Sequence, residues 1–134
     1  MRRILADEHG AVSTFLAVIA LALLMAGGLA IDGGRKVNAL RQVSHIADNA
    51  ARAGAQAVDL DTLRTTGDLR LVPSEAADRV EAYLSTVGYV ATNVTVNGAT
   101  VTVTVDVTVE PVLLPTGPMT VSATETATAV TQEP

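Results

Sequence analysis

Residues 11–31 carry no charge, and Ser13 and Thr14 are the only hydroxyls among them. Such a run in a helix rising ~1.5 Å per residue extends about 31 Å, enough to cross the hydrocarbon of a bilayer. It exceeds the ~7–15-residue apolar core of a cleaved secretory signal, and no small-x-small cleavage site closes it. The pattern predicts a transmembrane helix over 11–31, a short leader at 1–10, and the rest of the chain on one side of a membrane.

The run stops at Asp32-Gly33-Gly34-Arg35-Lys36, a polar break at the expected membrane surface. Over 32–58 the helical period resumes. Val37, Leu40, Ser44, Ala47, Ala51, Gly54 and Val58 recur at spacings of three and four and form one narrow stripe. Most of its members are small, which suits close approach of another helix or of a sheet. The pairs Gly27-Gly28 and Gly33-Gly34 cost roughly 1 kcal/mol per residue against Ala in a helix. The sequence therefore accommodates either a kink near residue 33 or one long, straight helix.

Residues 59–72 show weak periodicity and read as a loop with at most a turn of helix. Pro73-Ser74 then predicts a second helix over 74–87, with Ser74 as N-cap and Gly88 as its stop. Ala76, Ala77, Val80, Tyr83, Leu84 and Val87 give it an apolar face. Beyond Gly88 the period falls to two. Strands are expected near 90–96, 99–109 and 119–130, the first two joined by Asn97-Gly98 as a type I′ hairpin turn. Val101, Val103, Val105, Val107 and Val109 alternate with Thr102, Thr104, Asp106 and Thr108, which puts Val inward and Thr outward. Glu110-Pro111 and the segment 113–118 form a turn-rich connection. The architecture is α+β: a membrane helix with a soluble continuation, a short second helix, and a small antiparallel sheet whose Val face the helices cover. Residues 59–134 make up the small α+β domain of this layout, which the resemblance given below makes extracytoplasmic.

Composition narrows the function. The 134 residues are 49% apolar, mostly Ala and Val, with one Phe, two Tyr and no Trp, so the core buries little area per residue. The net charge of −5 lies wholly beyond the membrane run, because Arg2 and Arg3 balance Asp7 and Glu8 before it. An acidic domain poor in aromatic rings lacks both the basic footprint and the stacking surface for nucleic acid. The absence of cysteine excludes disulfides, thiolate metal sites and a Cys nucleophile.

Catalytic constellations are not legible. His9 and His45 flank the membrane run and cannot share a site, and His45 beside Asp48 and Asn49 reads as solvated helix surface. Asp106 and Glu125 could approach in the sheet but have no third partner. No metal or other cofactor is expected. The Thr ladder (Thr95, Thr100, Thr102, Thr104, Thr108, Thr120, Thr124, Thr126, Thr128) has two readings, an ordinary solvent face or a binding face for a cell-wall polymer or partner protein.

The run Gly10-Ala-Val-Ser-Thr-Phe-Leu-Ala-Val-Ile-Ala-Leu-Ala-Leu-Leu, with Ile31-Asp-Gly-Gly-Arg-Lys and Ala47-Asp-Asn-Ala-Ala-Arg-Ala-Gly-Ala-Gln-Ala, resembles the TadE/TadG-like proteins of tight-adherence (Flp-type) pilus systems, above all the short actinobacterial forms. That resemblance implies a minor-pseudopilin-like, non-enzymatic component of a pilus or secretion assembly. It implies a cytoplasmic leader, a helix in the bilayer, an outward domain, and partners among pilin or pseudopilin subunits and membrane assembly proteins. Lys and Arg counts on the two sides of the run nearly tie, so the orientation rests on the resemblance. The resemblance also implies cutting by a prepilin peptidase between Gly10 and Ala11. Type IV-like prepilins usually carry Glu at the fifth residue after the cut, where this chain has Phe15; it reads either as a cut prepilin or as an uncut signal-anchor protein. The long von Willebrand-like insert of larger TadG proteins is missing, and with it that insert's metal-binding motif. Association is expected through the small residues Gly27, Gly28, Gly33, Gly34, Ser44, Ala47, Ala51 and Gly54. The alternative is a membrane-tethered binding module acting through its Thr-rich sheet.

Overall fold

The computed structural model describes residues 7–130, which leaves the leader arginines Arg2 and Arg3 outside the described residues. Helix α1 runs without interruption over Asp7–Gly54. At 1.5 Å per residue it is about 72 Å long, and neither glycine pair interrupts it. Its two halves differ in environment. Phe15, Leu16, Leu21, Leu23, Leu24, Met25 and Leu29 all stay exposed, whereas Val43, Ala47, Ala50, Ala51 and Gly54 are buried. Val37 and Leu40, expected on the buried stripe, remain 48% and 45% exposed. Counting back from Ala47, a three–four stripe passes through either Ser44 or Val43, and the sheet covers Val43 fully while Ser44 is half-buried.

Residues 59–72 hold more order than their weak periodicity predicts. Helix α2 spans Leu60–Thr66, capped by Asp59, whose carboxylate accepts the amides of Asp61 and Thr62, and closed by left-handed Gly67 at φ 76°. The ends of this excursion are stitched together: Asp59 N–H donates to Arg70 O at 2.8 Å and Val72 N–H to Ala57 O at 2.9 Å. Helix α3 spans Pro73–Val87 and ends at left-handed Gly88. Its N-cap is Val72 and not Ser74, because Pro73 takes the first helical position: its ring presets the helical φ, and it has no N–H to leave unsatisfied.

Strands β1 (Ala91–Asn97), β2 (Thr100–Val109) and β3 (Met119–Thr128) form one antiparallel sheet in that order. The hairpin differs by one position from the Asn97-Gly98 type I′ expectation. Asn97 pairs with Thr100, so the turn residues are Gly98 and Ala99. Gly98 has φ 61° and no non-glycine residue has positive φ among those described, the pattern of a type II′ turn. Between Ala91 and Asn93 the register slips, leaving Thr92 as an extra residue opposite β2. That bulge turns Thr92 and Asn93 both outward and keeps Ala91 on the same inward face as Val94 and Val96.

Val101, Val103 and Val105 are fully buried at the centre of the sheet. The C-terminal half of α1 lies over β2 and β3, and α3 packs beside it against α1 and β1. Gly54 makes that junction possible. A Cβ there would stand 2.9 Å from Val80 Cγ2, 3.2 Å from Val101 Cγ1 and 3.2 Å from the Ala76 carbonyl oxygen.

Candidate functional site

Asp32 is the first charged residue after the apolar run, and it is buried, 2% exposed. Its carboxylate accepts three consecutive backbone amides of the β2–β3 connection: Val112 N–H at 2.9 Å on Oδ1, and Leu113 and Leu114 N–H at 3.1 and 2.8 Å on Oδ2. An ionised carboxylate is acceptor-only and can hold several donors at once. One helical turn earlier is Gly28, also buried. A Cβ on Gly28 would meet Leu113 Cβ at 3.3 Å and Leu114 Cδ2 at 3.7 Å. Gly28 and Asp32 thus make a paired seat on one face of α1: a gap that receives the leucines and a carboxylate that holds their amides.

The remaining small residues fall into two groups. Ala47, Ala51 and Gly54 are covered by this chain's own sheet and by α3, so they are not available to a neighbouring helix. That departs from the expectation of intersubunit association along the stripe. The chain brings its own partner to those residues, as a helix–sheet contact. Ser44 is half-buried, and its hydroxyl donates to the Glu125 carboxylate on β3. By contrast Gly27, Gly33 and Gly34 have open space where a Cβ would stand. Gly27 and Gly34, two helical turns apart, share a face; Gly28 turns away from it by about 100°.

The other sequence candidates separate. Glu125 lies on the inward face of β3 while Asp106 lies on the outward face of β2, so the two carboxylates do not meet. His45 is exposed on α1. The Thr ladder is real, but six of its nine hydroxyls partner one another: Thr100 with Thr128 at 3.1 Å, Thr102 with Thr126 at 3.0 Å, Thr104 with Thr124 at 2.9 Å. Gly10 is exposed in α1, and its carbonyl accepts the Thr14 hydroxyl at 2.8 Å.

Sequence reading missed the Asp32 junction. The signal available was a lone acid ending an apolar run, together with the connection Glu110-Pro-Val-Leu-Leu-Pro, whose apolar tip is bracketed by prolines. Nothing local links the two.

Residues 10–57 match a family model described as putative Flp pilus-assembly TadE/G-like. No curated protein and no solved structure matches the chain. The matched segment is the greater part of α1 with the turn that follows it, and so includes both Gly28 and Asp32. The match supports involvement in assembly of Flp, or tight-adherence, pili, and the long apolar helix is consistent with a membrane anchor. Over residues 10–57 this chain is similar to the putative Flp pilus-assembly TadE/G-like family.

Proposed function

We propose that the protein is a non-catalytic, minor-pseudopilin-like component of a tight-adherence pilus or a related secretion assembly. Residues 11–31 span the membrane, residues 1–10 face the cytoplasm, and the α+β domain stands outside beside its neighbours. One observation carries this reading: α1 from Gly10 to Gly27 projects bare of its own chain, with large side chains exposed on every side. A helix apolar all round is stable in lipid or against other apolar helices, not in water.

Association then falls to the open face of Gly27 and Gly34, where small residues let helix backbones approach and van der Waals fit holds them. Phe15, 65% exposed, offers a neighbour an apolar contact at the position where related prepilins usually carry Glu. Gly10-Ala11 is the site a prepilin peptidase would cut.

The test is to isolate membranes from cells making the protein, map the mature N-terminus by mass spectrometry, and probe the domain with protease added outside spheroplasts. A membrane-bound chain beginning at Ala11, with its domain digested, is the expected result. An intact leader makes it an uncut signal-anchor protein and removes the prepilin step. Recovery as a dissolved monomer overturns the proposal.

A further inference from the structure

We propose that the β2–β3 connection is a second membrane contact: residues 111–115 dip into the acyl boundary of the leaflet on the domain's side, docked against α1 by Asp32 and Gly28. The inference rests on the membrane reading above and adds to it a lipid-binding element that lies 80 residues away in sequence.

Depth is the first argument. Leu113 and Leu114 pack at the level of Gly28, four residues before Asp32 on α1. At 1.5 Å per residue that places them about 6 Å on the membrane side of the first charge. Interfacial apolar elements sink by a similar amount, roughly 5–10 Å. Residues 28–31, beside which the leucines lie, are themselves apolar.

Exposure is the second. Val112 and Leu113 are 60% and 54% exposed, and Leu29 and Ile31 on α1 are 64% and 53% exposed. Loop and helix thus present a continuous apolar surface at one height, and the helix side of it is the part assigned to lipid.

Backbone satisfaction is the third and most specific. Irregular backbone is costly in lipid because its N–H and C=O groups have no water to bond. Here the donor part of that cost is removed residue by residue. Pro111 and Pro115 have no N–H, and Val112, Leu113 and Leu114 all donate to Asp32. Five consecutive residues therefore present no unpaired amide donor.

The chain has no cysteine, so single probes can be placed cleanly. Full-length Leu113→Cys, Leu21→Cys and Thr104→Cys proteins, each carrying an environment-sensitive fluorophore, are reconstituted in vesicles of phosphatidylethanolamine and phosphatidylglycerol. Quenching is measured with aqueous iodide and with lipids brominated at shallow or deep acyl positions. The expected result is iodide quenching at position 113 several-fold weaker than at 104, with strong quenching by shallow bromines, while position 21 responds to deep bromines. A probe at 113 as open to iodide as that at 104, with 21 still in lipid, overturns the loop assignment and leaves the anchor intact. A probe at 21 open to iodide overturns the membrane reading itself. Shielding at 113 that vanishes as the protein is diluted in lipid overturns the lipid assignment in favour of a neighbouring subunit.

Discussion

The Asp32 carboxylate accepts the Leu114 amide at 2.8 Å across 82 residues of sequence, and with it the amides of Leu113 and Val112. This one side chain therefore ties the β2–β3 connection to α1 at the end of the apolar run. Asp32→Ala leaves three adjacent amides without their acceptor, and Asp32→Asn turns an NH₂ donor toward them. Both substitutions are expected to speed hydrogen exchange at residues 112–114 while Val101, Val103 and Val105 stay protected. Unchanged exchange at the loop would show that its packing on Gly28 suffices without the carboxylate.

Two glycines on α1 should respond to the same substitution with opposite sign. Gly54→Ala sets a methyl 2.9 Å from Val80 Cγ2 and 3.2 Å from a backbone carbonyl. The backbone cannot yield cheaply, so the overpacking cost of about 1–3 kcal/mol exceeds the helix-propensity gain of about 1 kcal/mol. Gly33→Ala meets nothing within 4 Å and keeps only the gain. Thermal unfolding in detergent should therefore show a lower Tm for Gly54→Ala and an equal or higher one for Gly33→Ala.

Much of this fold could be read from period alone. The apolar run, the apolar face of α3 and the Val/Thr alternation each repeat within one element, so local spacing suffices to place them. The core face of α1 was less legible, because a three–four stripe through Ala47 is ambiguous between Ser44 and Val43 until the sheet covers one of them. Helix α2 carries its signal in its caps, Asp59 and Gly67, and its seven residues bury none of their own side chains, so no apolar stripe betrays it. The Asp32 junction could not be read at all. A carboxylate holding the amides of a distant loop leaves no periodic trace in either segment.

At the hairpin, the observed turn predicts the opposite ranking from an Asn-Gly type I′ loop. Gly98 alone has positive φ, at 61°. Gly98→Ala is expected to cost at least about 1 kcal/mol through left-handed strain. Asn97→Thr should cost little, since Asn97 pairs with Thr100 as an ordinary strand residue. Urea midpoints of the two variants would rank them, and a larger loss for Asn97→Thr would restore the type I′ turn.

Acid should loosen the α2 excursion before the sheet. The Thr62 hydroxyl, then the amides of Thr62 and Asp61, stabilise the charged Asp59 carboxylate and hold its pKa below the ordinary 3.8, against a smaller opposing effect of burial. A depressed folded-state pKa stabilises the fold above the unfolded value and loses that contribution as pH falls through the folded one. Protection of the Asp61 and Thr62 amides, relative to their intrinsic exchange, should fall below about pH 4, and Asp59→Asn, which keeps a capping oxygen, should abolish that fall.

Gly27 and Gly28 are adjacent in sequence yet point to different surroundings, which separates association from internal docking. Gly28 faces Leu113 and Leu114 of its own chain, while Gly27 faces open space and shares its side of α1 with Gly34. Gly28→Leu forces a side chain into Leu113 and should displace the loop, raising exchange at 112–114 in a single protomer diluted in lipid. Gly27→Leu leaves that contact whole. Its bulk acts only where another helix would come close, so intersubunit crosslinking from a cysteine at position 34 should fall while loop exchange stays as in the unsubstituted protein. If Gly27→Leu leaves crosslinking unchanged, the glycine face is not where neighbours meet, and association must be sought on the Phe15 side of the helix or in the exposed sheet.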